Sequence, residues 1–212
     1  MVWCVRKLRA ADCAATAALL GRAFADNPAY SFMHPNAASR PRDLRRFFER
    51  NLAWHLPLDL TWVVVDGADK PRGTATLEPP GGVPHSRLQE LRHWLLPTLV
   101  EQGPRTLRRL TEAGAAFSEL NRTAAGSARH WHVHAVAVEP AQQRAGAGTA
   151  LLAHVFRELD ALLAQHRDPV VLSTQRESNV RLYERYGFES LGAFTIGGNA
   201  PDAFQSWCMR RG

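Results

Sequence analysis

The order of apolar patterns along the chain predicts an α+β fold, with a mixed central sheet and helices on both of its faces. Three observations carry that expectation. Short β-type runs at 61–65, 133–138 and 170–174 alternate with helical stripes rather than clustering together. A hairpin pattern sits near the middle, and two further strand patterns, about 188–195 and 204–210, close the chain. At 212 residues, 45% apolar and 22% charged, the chain is long enough for one domain with a substantial core, here taken as 1–212.

Residues 2–8 read as the first strand. Asp12 then suits an N-cap, and Leu19, Leu20, Ala23 and Phe24 keep helical spacing until Asn27-Pro28 stops it. Residues 35–42 read as a loop, after which Leu44, Phe47, Phe48 and Leu52 outline a second helix. Thr61–Val65, a turn at Asp66-Gly67 and residues 72–77 form a hairpin pattern. Residues 81–129 form a helical insert, with two helical patterns over 85–120. Gly103-Pro104 separates them, and Pro97 kinks or ends the first. Residues 121–129, small and polar, read as a flexible link. Leu151, Leu152, Val155, Phe156, Leu159, Leu162 and Leu163 mark a helical stripe that must pack on a sheet. Residues 178–186 make a short helix, and Gly187 suits a left-handed cap at its end.

Bulk properties exclude several classes. No long apolar run occurs and the first residues lack a hydrophobic signal core, so neither a membrane span nor secretion is expected. Cys4, Cys13 and Cys208 are scattered and odd in number, which fits a reducing compartment, the cytoplasm, without a disulfide framework. The net charge of +6 suits a polyanionic ligand, but the arginines are dispersed and no aromatic–basic RNA motif is present, so no nucleic-acid partner is expected.

The most informative stretch is 138–149, Val-Glu-Pro-Ala-Gln-Gln-Arg-Ala-Gly-Ala-Gly-Thr. A strand runs into two glycines and a helix starts at once, which turns backbone N–H groups and the positive helix end toward a phosphate or pyrophosphate. A dinucleotide site is excluded, because Leu151 stands at the third glycine position and Thr174-Gln175 where the ribose-binding acid belongs. A P-loop is excluded too, since no lysine follows Lys70.

Instead, Gln143-x-x-Gly146-x-Gly148 after Val138-Glu139-Pro140 resembles the acyl-coenzyme A motif of the GNAT N-acetyltransferase superfamily. Residues 170–188 are similar to the family's strand, Asn-bearing turn, short helix and Y-x-x-x-G-F ending, through Asn179, Tyr183, Gly187 and Phe188. The likeness is specific over 130–188, the coenzyme-binding and catalytic core, loose over 2–80, and absent over 81–129. Segments 23–28, 177–188 and 206–211 also resemble the puromycin N-acetyltransferase-like branch of small-molecule acetyltransferases.

The resemblance implies a GNAT-type mixed sheet, with 81–129 inserted before the coenzyme-binding strand, and direct acetyl transfer from acetyl-CoA to the primary amine of a small molecule. The alternatives are a protein N-terminus or lysine acceptor, and a non-catalytic acyl-CoA-binding module. By the same resemblance, the backbone of Val136, Ala137 and Val138 helps the oxyanion and holds the pantetheine arm. Gln143, Arg144, Ala145, Gly146, Ala147, Gly148 and Thr149 contact the coenzyme. Asn179 bonds the pantetheine amide or nearby backbone, and Tyr183 meets the sulfur.

Tyr183 is the candidate general acid, against packing alone. His130, His132 and His134 alternate, so strand geometry puts all three on one face. A metal reading meets the obstacle that no Cys or carboxylate pairs with them in sequence, and no metal is expected. His132 falls where many GNAT enzymes carry a glutamate that deprotonates the amine, and an imidazole titrates in the right range for a base. Histidines merely packed beside Trp131 are the competing reading. Phe24, Tyr30 and His134 are candidate acceptor contacts. A homodimer is compatible with all of this.

Overall fold

The computed structural model describes residues 3–126, 129–164 and 168–212. Its strands are β1 (Cys4–Lys7), β2 (Thr61–Val65), β3 (Pro71–Glu78), β4 (Trp131–Val138), β5 (Val170–Thr174), β6 (Glu189–Ile196) and β7 (Phe204–Arg211). Its helices are α1 (Cys13–Ala23), α2 (Pro28–Met33), α3 (Arg40–His55), α4 (Arg87–Glu90), α5 (Leu96–Ala125), α6 (Ala147–Leu163) and α7 (Glu177–Glu184). The strands form one sheet in the order β1-β2-β3-β4-β5-β7-β6. All pairs are antiparallel except β4–β5.

Two layers of side chains cover the sheet. On one face, the α6 stripe (Leu151, Leu152, Val155, Phe156, Leu159) packs against Trp62, Val64, Leu77, Trp131, Val133 and Leu172. On the other, α1 and α3 bring Leu19, Leu20, Leu44, Phe48 and Leu52 onto Val63, Val65 and Ala137. Each such aliphatic side chain taken out of water contributes about 1.5–3 kcal/mol, so both helical layers are held chiefly by apolar burial. Neighbouring residues of β2 therefore serve opposite layers, which explains a strand with no exposed side.

Several elements depart from the sequence-level expectation for identifiable reasons. Asp12 does not cap α1 through its side chain. Its carboxylate instead accepts from the backbone N–H of Arg9 and pairs with Arg6 at 2.6 Å. The Asn27-Pro28 pair ends nothing, because α1 has already stopped at Ala23. It opens the unforeseen helix α2, with Pro28 in the first turn and the Asn27 side chain accepting from Ala29 N–H. Helix α3 begins at Arg40, inside the stretch read as a loop, with Pro41 in its first turn.

Pro97 does not end a helix either. It lies at the start of α5, just after one π-turn at Leu91–Leu95, so the missing proline N–H is absorbed by a locally widened helix. The expected break at Gly103-Pro104 is present as a kink, with Gly103 at φ 82°, ψ 172°. Residues 121–125, expected in a flexible link, are the last turn of α5, which a left-handed Gly126 terminates. Residues 127–128 of that link, and residue 2 of the first strand, lie outside the described residues.

Candidate functional site

Strand β4 organises the site through two irregularities. First, it pairs with β5 only at Trp131↔Val170 and His132↔Val171. Beyond His132 the two strands part, because β5 continues along β7 while β4 stays on β3. One edge of β4 from Val133 to Val138 is thus left without a strand partner among the described residues, and its peptide groups are open to a ligand. Second, the β3–β4 register shifts between Thr76 and Leu77, which face Ala135 and Val133, so His134 is the extra residue of a bulge. The bulge reverses the alternation. Trp131 and Val133 face α6 before it; Val136 and Val138 face α6 after it, and Ala137 turns toward α1.

The glycine loop lies at the end of that open edge. Gly146 has φ 85° and Arg144 φ 65°, so two left-handed residues bend the chain into α6. No acidic side chain occupies the first turn of α6, and Arg144 is exposed beside it. The unbonded N–H groups of that turn, the helix dipole and a free guanidinium fit a pyrophosphate. Gly148 differs from Gly146: its φ is not positive, and an added Cβ would meet only Val138 Cγ2 at 3.4 Å. Backbone geometry requires glycine at 146 and not at 148, where any requirement would come from the ligand. Trp3, which gave no signal in the sequence, supports the loop by donating its indole N–H to the Ala145 carbonyl at 2.8 Å.

Tyr183 and Asn179 are on α7, at the far side of the parting strands. The Tyr183 ring is buried against Phe188, with ring centres 6.0 Å apart, and burial pushes the phenol's pKa up, so it keeps its proton. Its hydroxyl has no hydrogen-bond partner among the described residues. Asn179 donates its amide N–H to Thr174 Oγ1 at 3.0 Å, at the end of β5. Gly187 takes the expected left-handed cap, φ 81°, and Phe188 N–H returns to the Tyr183 carbonyl at 3.2 Å.

On the opposite face, between α2, α3, α5 and the ends of β3–β5, lies a cavity of about 930 Å³. Its aromatic side is formed by Tyr30, Phe47 and Trp94, and α5 contributes a helical stripe including Leu107, Leu110, Gly114, Phe117, Ser118 and Asn121. His130, His132 and His134 all line it, as the strand alternation implied. Phe24, expected to contact the acceptor, instead stacks on Phe48 at 5.5 Å and lies tilted against Tyr30 at 4.9 Å, outside the residues that line the cavity. Tyr183 is not among the lining residues, so the candidate acid and the candidate base approach the parted strands from opposite faces. Asn27 anchors the α2 side, donating to Gln175 Oε1 at 3.3 Å.

The statement that no carboxylate pairs with the histidines holds in sequence and fails in space. Glu78, at the end of β3, is the direct register partner of His132. Its Oε2 accepts from His132 Nδ1 at 2.8 Å, and its Oε1 lies 2.8 Å from His55 Nε2 and 3.3 Å from His134 Nδ1. Burial would raise the Glu78 carboxyl, but the imidazoles of His134, His132 and His55 more than offset this and hold it well below the usual carboxylate range. His134 is pushed down to about 4, by burial first. Asn51, one turn before His55 on α3, donates its side-chain amide to His134 Nε2 at 3.0 Å, and its carbonyl accepts from His55 Nδ1 at 2.8 Å. Ligand-type atoms of His55, Glu78 and His134 lie within 4.8 Å of one another, a spacing that also suits a cation. Glu78, His55 and Asn51 were missed from sequence. The only available signal was the Asn51-x-x-x-His55 helical spacing, which does not point to a glutamate 23 residues later.

Residues 109–190 match the family model described as acetyltransferase (GNAT) domain. No curated protein sequence matches the chain. Among solved structures, a Corynebacterium glutamicum protein described as histone acetyltransferase HPA2 and related acetyltransferase aligns with 19% identity, over 100% of this chain and 96% of that one, at a TM-score of 0.63. A mosquito arylalkylamine N-acetyltransferase like 5b aligns with 14% identity, over 99% of both chains, at 0.63. A Drosophila melanogaster polyamine N-acetyltransferase aligns with 16% identity, over 99% of both, at 0.58. These likenesses establish the fold along the whole chain. The match over residues 109–190 includes the glycine loop, α6 and α7, so the chain is similar to GNAT acetyltransferases in the segment that builds the open edge of β4.

Proposed function

We propose that this chain transfers the acetyl group of acetyl-CoA directly to the primary amine of a small molecule with an apolar, largely aromatic-binding body. The observation that carries this reading is the parting of β4 from β5 between the anion-receptive mouth of α6 and a 930 Å³ cavity holding His132. A pocket of that size takes a drug-sized ligand. Helices α4 and α5 supply one of its walls. Of the lining residues only Glu78 and Glu90 are carboxylates, and Glu78 is already compensated by imidazoles. A polyamine would bury further ammonium groups without partners, a costly arrangement, so a monoamine fits better.

In this reading the His132 Nδ1–H is engaged by Glu78, and the other ring nitrogen takes the proton from the incoming ammonium. The open peptide groups of Val136–Val138 receive the negative charge that develops on the carbonyl oxygen. Tyr183 gives its proton to the departing sulfur as the C–S bond breaks, and the proton that the acylated nitrogen sheds on collapse of the intermediate restores the phenol. The residues of the glycine loop, with Asn179, hold the coenzyme throughout.

The test pairs binding with turnover. Saturating acetyl-CoA should raise the melting temperature by mass action, and a Gly146→Val variant should lose that rise while keeping its fold. Thiol release should be faster with arylalkyl monoamines than with spermidine or a basic peptide. Coenzyme binding without turnover of any amine would leave a binding module; preference for the peptide would move the acceptor class to proteins.

A further inference from the structure

We propose that Gly114 is a specificity-determining residue of the cavity: its missing side chain leaves a recess in the α5 wall that receives the ring of the acceptor and sets how bulky that ring can be. The inference rests on the reading of the cavity as the acceptor site, and deepens it from a small monoamine to one carrying a large apolar ring.

Glycine is required where the backbone is left-handed or where a neighbour stands too close for a Cβ. Gly103 meets the first condition, at φ 82°. Gly73 meets the second, since its Cβ would stand 2.9 Å from the Ala137 carbonyl oxygen and 2.9 Å from Val64 Cγ1. Gly114 meets neither. It lies within α5, its φ is not positive, and an added Cβ would find nothing within 4 Å. Inside a helix glycine is also the least favourable residue after proline, because it has the most backbone freedom to lose. Neither the folding of α5 nor its packing gains from a glycine at this position.

What Gly114 does instead is face the acceptor space. It is exposed and lines the cavity. Leu107, Thr111 and Ser118, at helical spacing on the same side of α5, line it too. Each of these carries a side chain where Gly114 carries none, so the wall is recessed at 114 and a ligand can approach the helix backbone there. The border of the recess is largely apolar. Ala115 lines the cavity beside it, and Thr111 spends its hydroxyl on the carbonyls of Leu107 and Arg108, at 3.2 and 2.8 Å. The same cavity has a continuous aromatic side, with the Phe47 ring centre 6.1 Å from that of Tyr30 and 5.2 Å from that of Trp94. It thus offers an apolar ring both aromatic surface and room.

A short aliphatic amine leaves such a recess unfilled and forfeits the burial it offers, whereas a bicyclic ring fills it. A leucine at 114 would compete with the ring for that space. Because an added Cβ meets no protein atom, its effect falls on what enters the cavity. The same substitution improves helix propensity, so stability and the binding of bulky acceptors move in opposite directions. A glycine kept for a structural reason would make them fall together.

The experiment measures thiol release by the wild type, Gly114→Ala, Gly114→Leu and Glu112→Leu with propylamine, phenylethylamine and naphthylethylamine. Gly114→Ala should raise the melting temperature by about 1–4 °C. Gly114→Leu should leave the KM of acetyl-CoA and of propylamine unchanged. It should raise the KM of naphthylethylamine on the order of tenfold, the effect of forfeiting the burial of about two methylene groups. Glu112 is exposed, on the other side of α5 and outside the lining residues, so Glu112→Leu places the same side chain away from the cavity and should change none of these constants. Calorimetric binding of naphthylethylamine in the presence of coenzyme A should show the same loss in Gly114→Leu without turnover. A lower melting temperature in Gly114→Ala would overturn the proposal, as would a Gly114→Leu whose constants change equally for all the amines or for none. Wild-type protein that releases thiol with none of the amines would instead refute the acetyl-transfer reading, and the ratio of variant to wild-type binding would still decide the role of Gly114.

Discussion

Tyr183 presents the sharpest question about a single residue. Its ring belongs to the α6 core while its hydroxyl is unpartnered among the described residues, an arrangement that packing alone does not require. Burial raises the phenol further above a thiol's ordinary range, so it gives its proton to the departing sulfur only where the contact is short and dry and the thiolate charge is itself desolvated. Tyr183→Phe retains the ring and its packing on Phe188. Turnover should fall by on the order of 10²–10³ while acetyl-CoA affinity stays nearly unchanged, because the hydroxyl acts mainly in the transition state. Single-turnover rates and a coenzyme titration on the same variant separate the outcomes. Near-normal turnover would return Tyr183 to a packing role; weakened binding with turnover kept would make it a coenzyme contact.

At the scale of elements, the proposed function assigns α5 the selection of acceptors. It lines the cavity on both sides of its kink, through Thr98 before it and Leu107 to Asn121 after it, with Leu95 of the preceding π-turn beside Thr98. The kink is held by Gly103 at φ 82°, ψ 172°, a region that essentially only glycine occupies, followed by Pro104. An added Cβ at 103 would meet nothing within 4 Å, so replacement acts through the backbone alone. Gly103→Ala should cost about 1–3 kcal/mol of stability, or straighten the kink to avoid that cost. Either way the first part of the wall moves while the glycine loop does not. The acceptor KM should therefore rise severalfold with the acetyl-CoA KM unchanged, and equal changes in both constants would refute this division of labour. The clamp of Arg109 on the Phe32 carbonyl and Asp202 anchors the later part of α5 to α2 and to the turn before β7.

At the scale of the molecule, the imidazole–carboxylate cluster links stability to pH. His134 is lowered in the folded protein from 6.5 to about 4, so below pH 6.5 the unfolded chain takes up a proton that the folded chain refuses. Its contribution is fully present above 6.5 and is lost as pH falls toward 4. Glu78 is depressed too, so its contribution persists above its ordinary value of 4.5 and declines below it. The melting temperature should fall steadily from pH 7 to pH 4, and less steeply in His134→Gln, whose side chain cannot take up that proton. Parallel curves for the two proteins would remove His134 from the account. No helix among the described residues is long and apolar enough to cross a membrane, which agrees with the absence of a long apolar run.

The sequence by itself determined the parts whose physics is local. The Gly146 turn into α6, the α6 stripe, the Gly187 cap and the Gly103-Pro104 break are each set by residues a few positions apart, through backbone sterics or helical spacing. The expected mixed sheet and its helical layers followed from those same patterns. Sequence also put His132 and His134 on one face of β4, with His130 just ahead of the strand, since strand alternation depends only on the chain itself. What it did not hold was what faces them. Glu78 meets His132 through the antiparallel register of β3 with β4, across 54 residues, and His55 arrives from α3 through helix packing. The bulge at His134 and the parting of β4 from β5 likewise come from pairing with other strands. Hydrogen-bond partners of a side chain are fixed by distance in space, and only the tertiary structure supplies that distance.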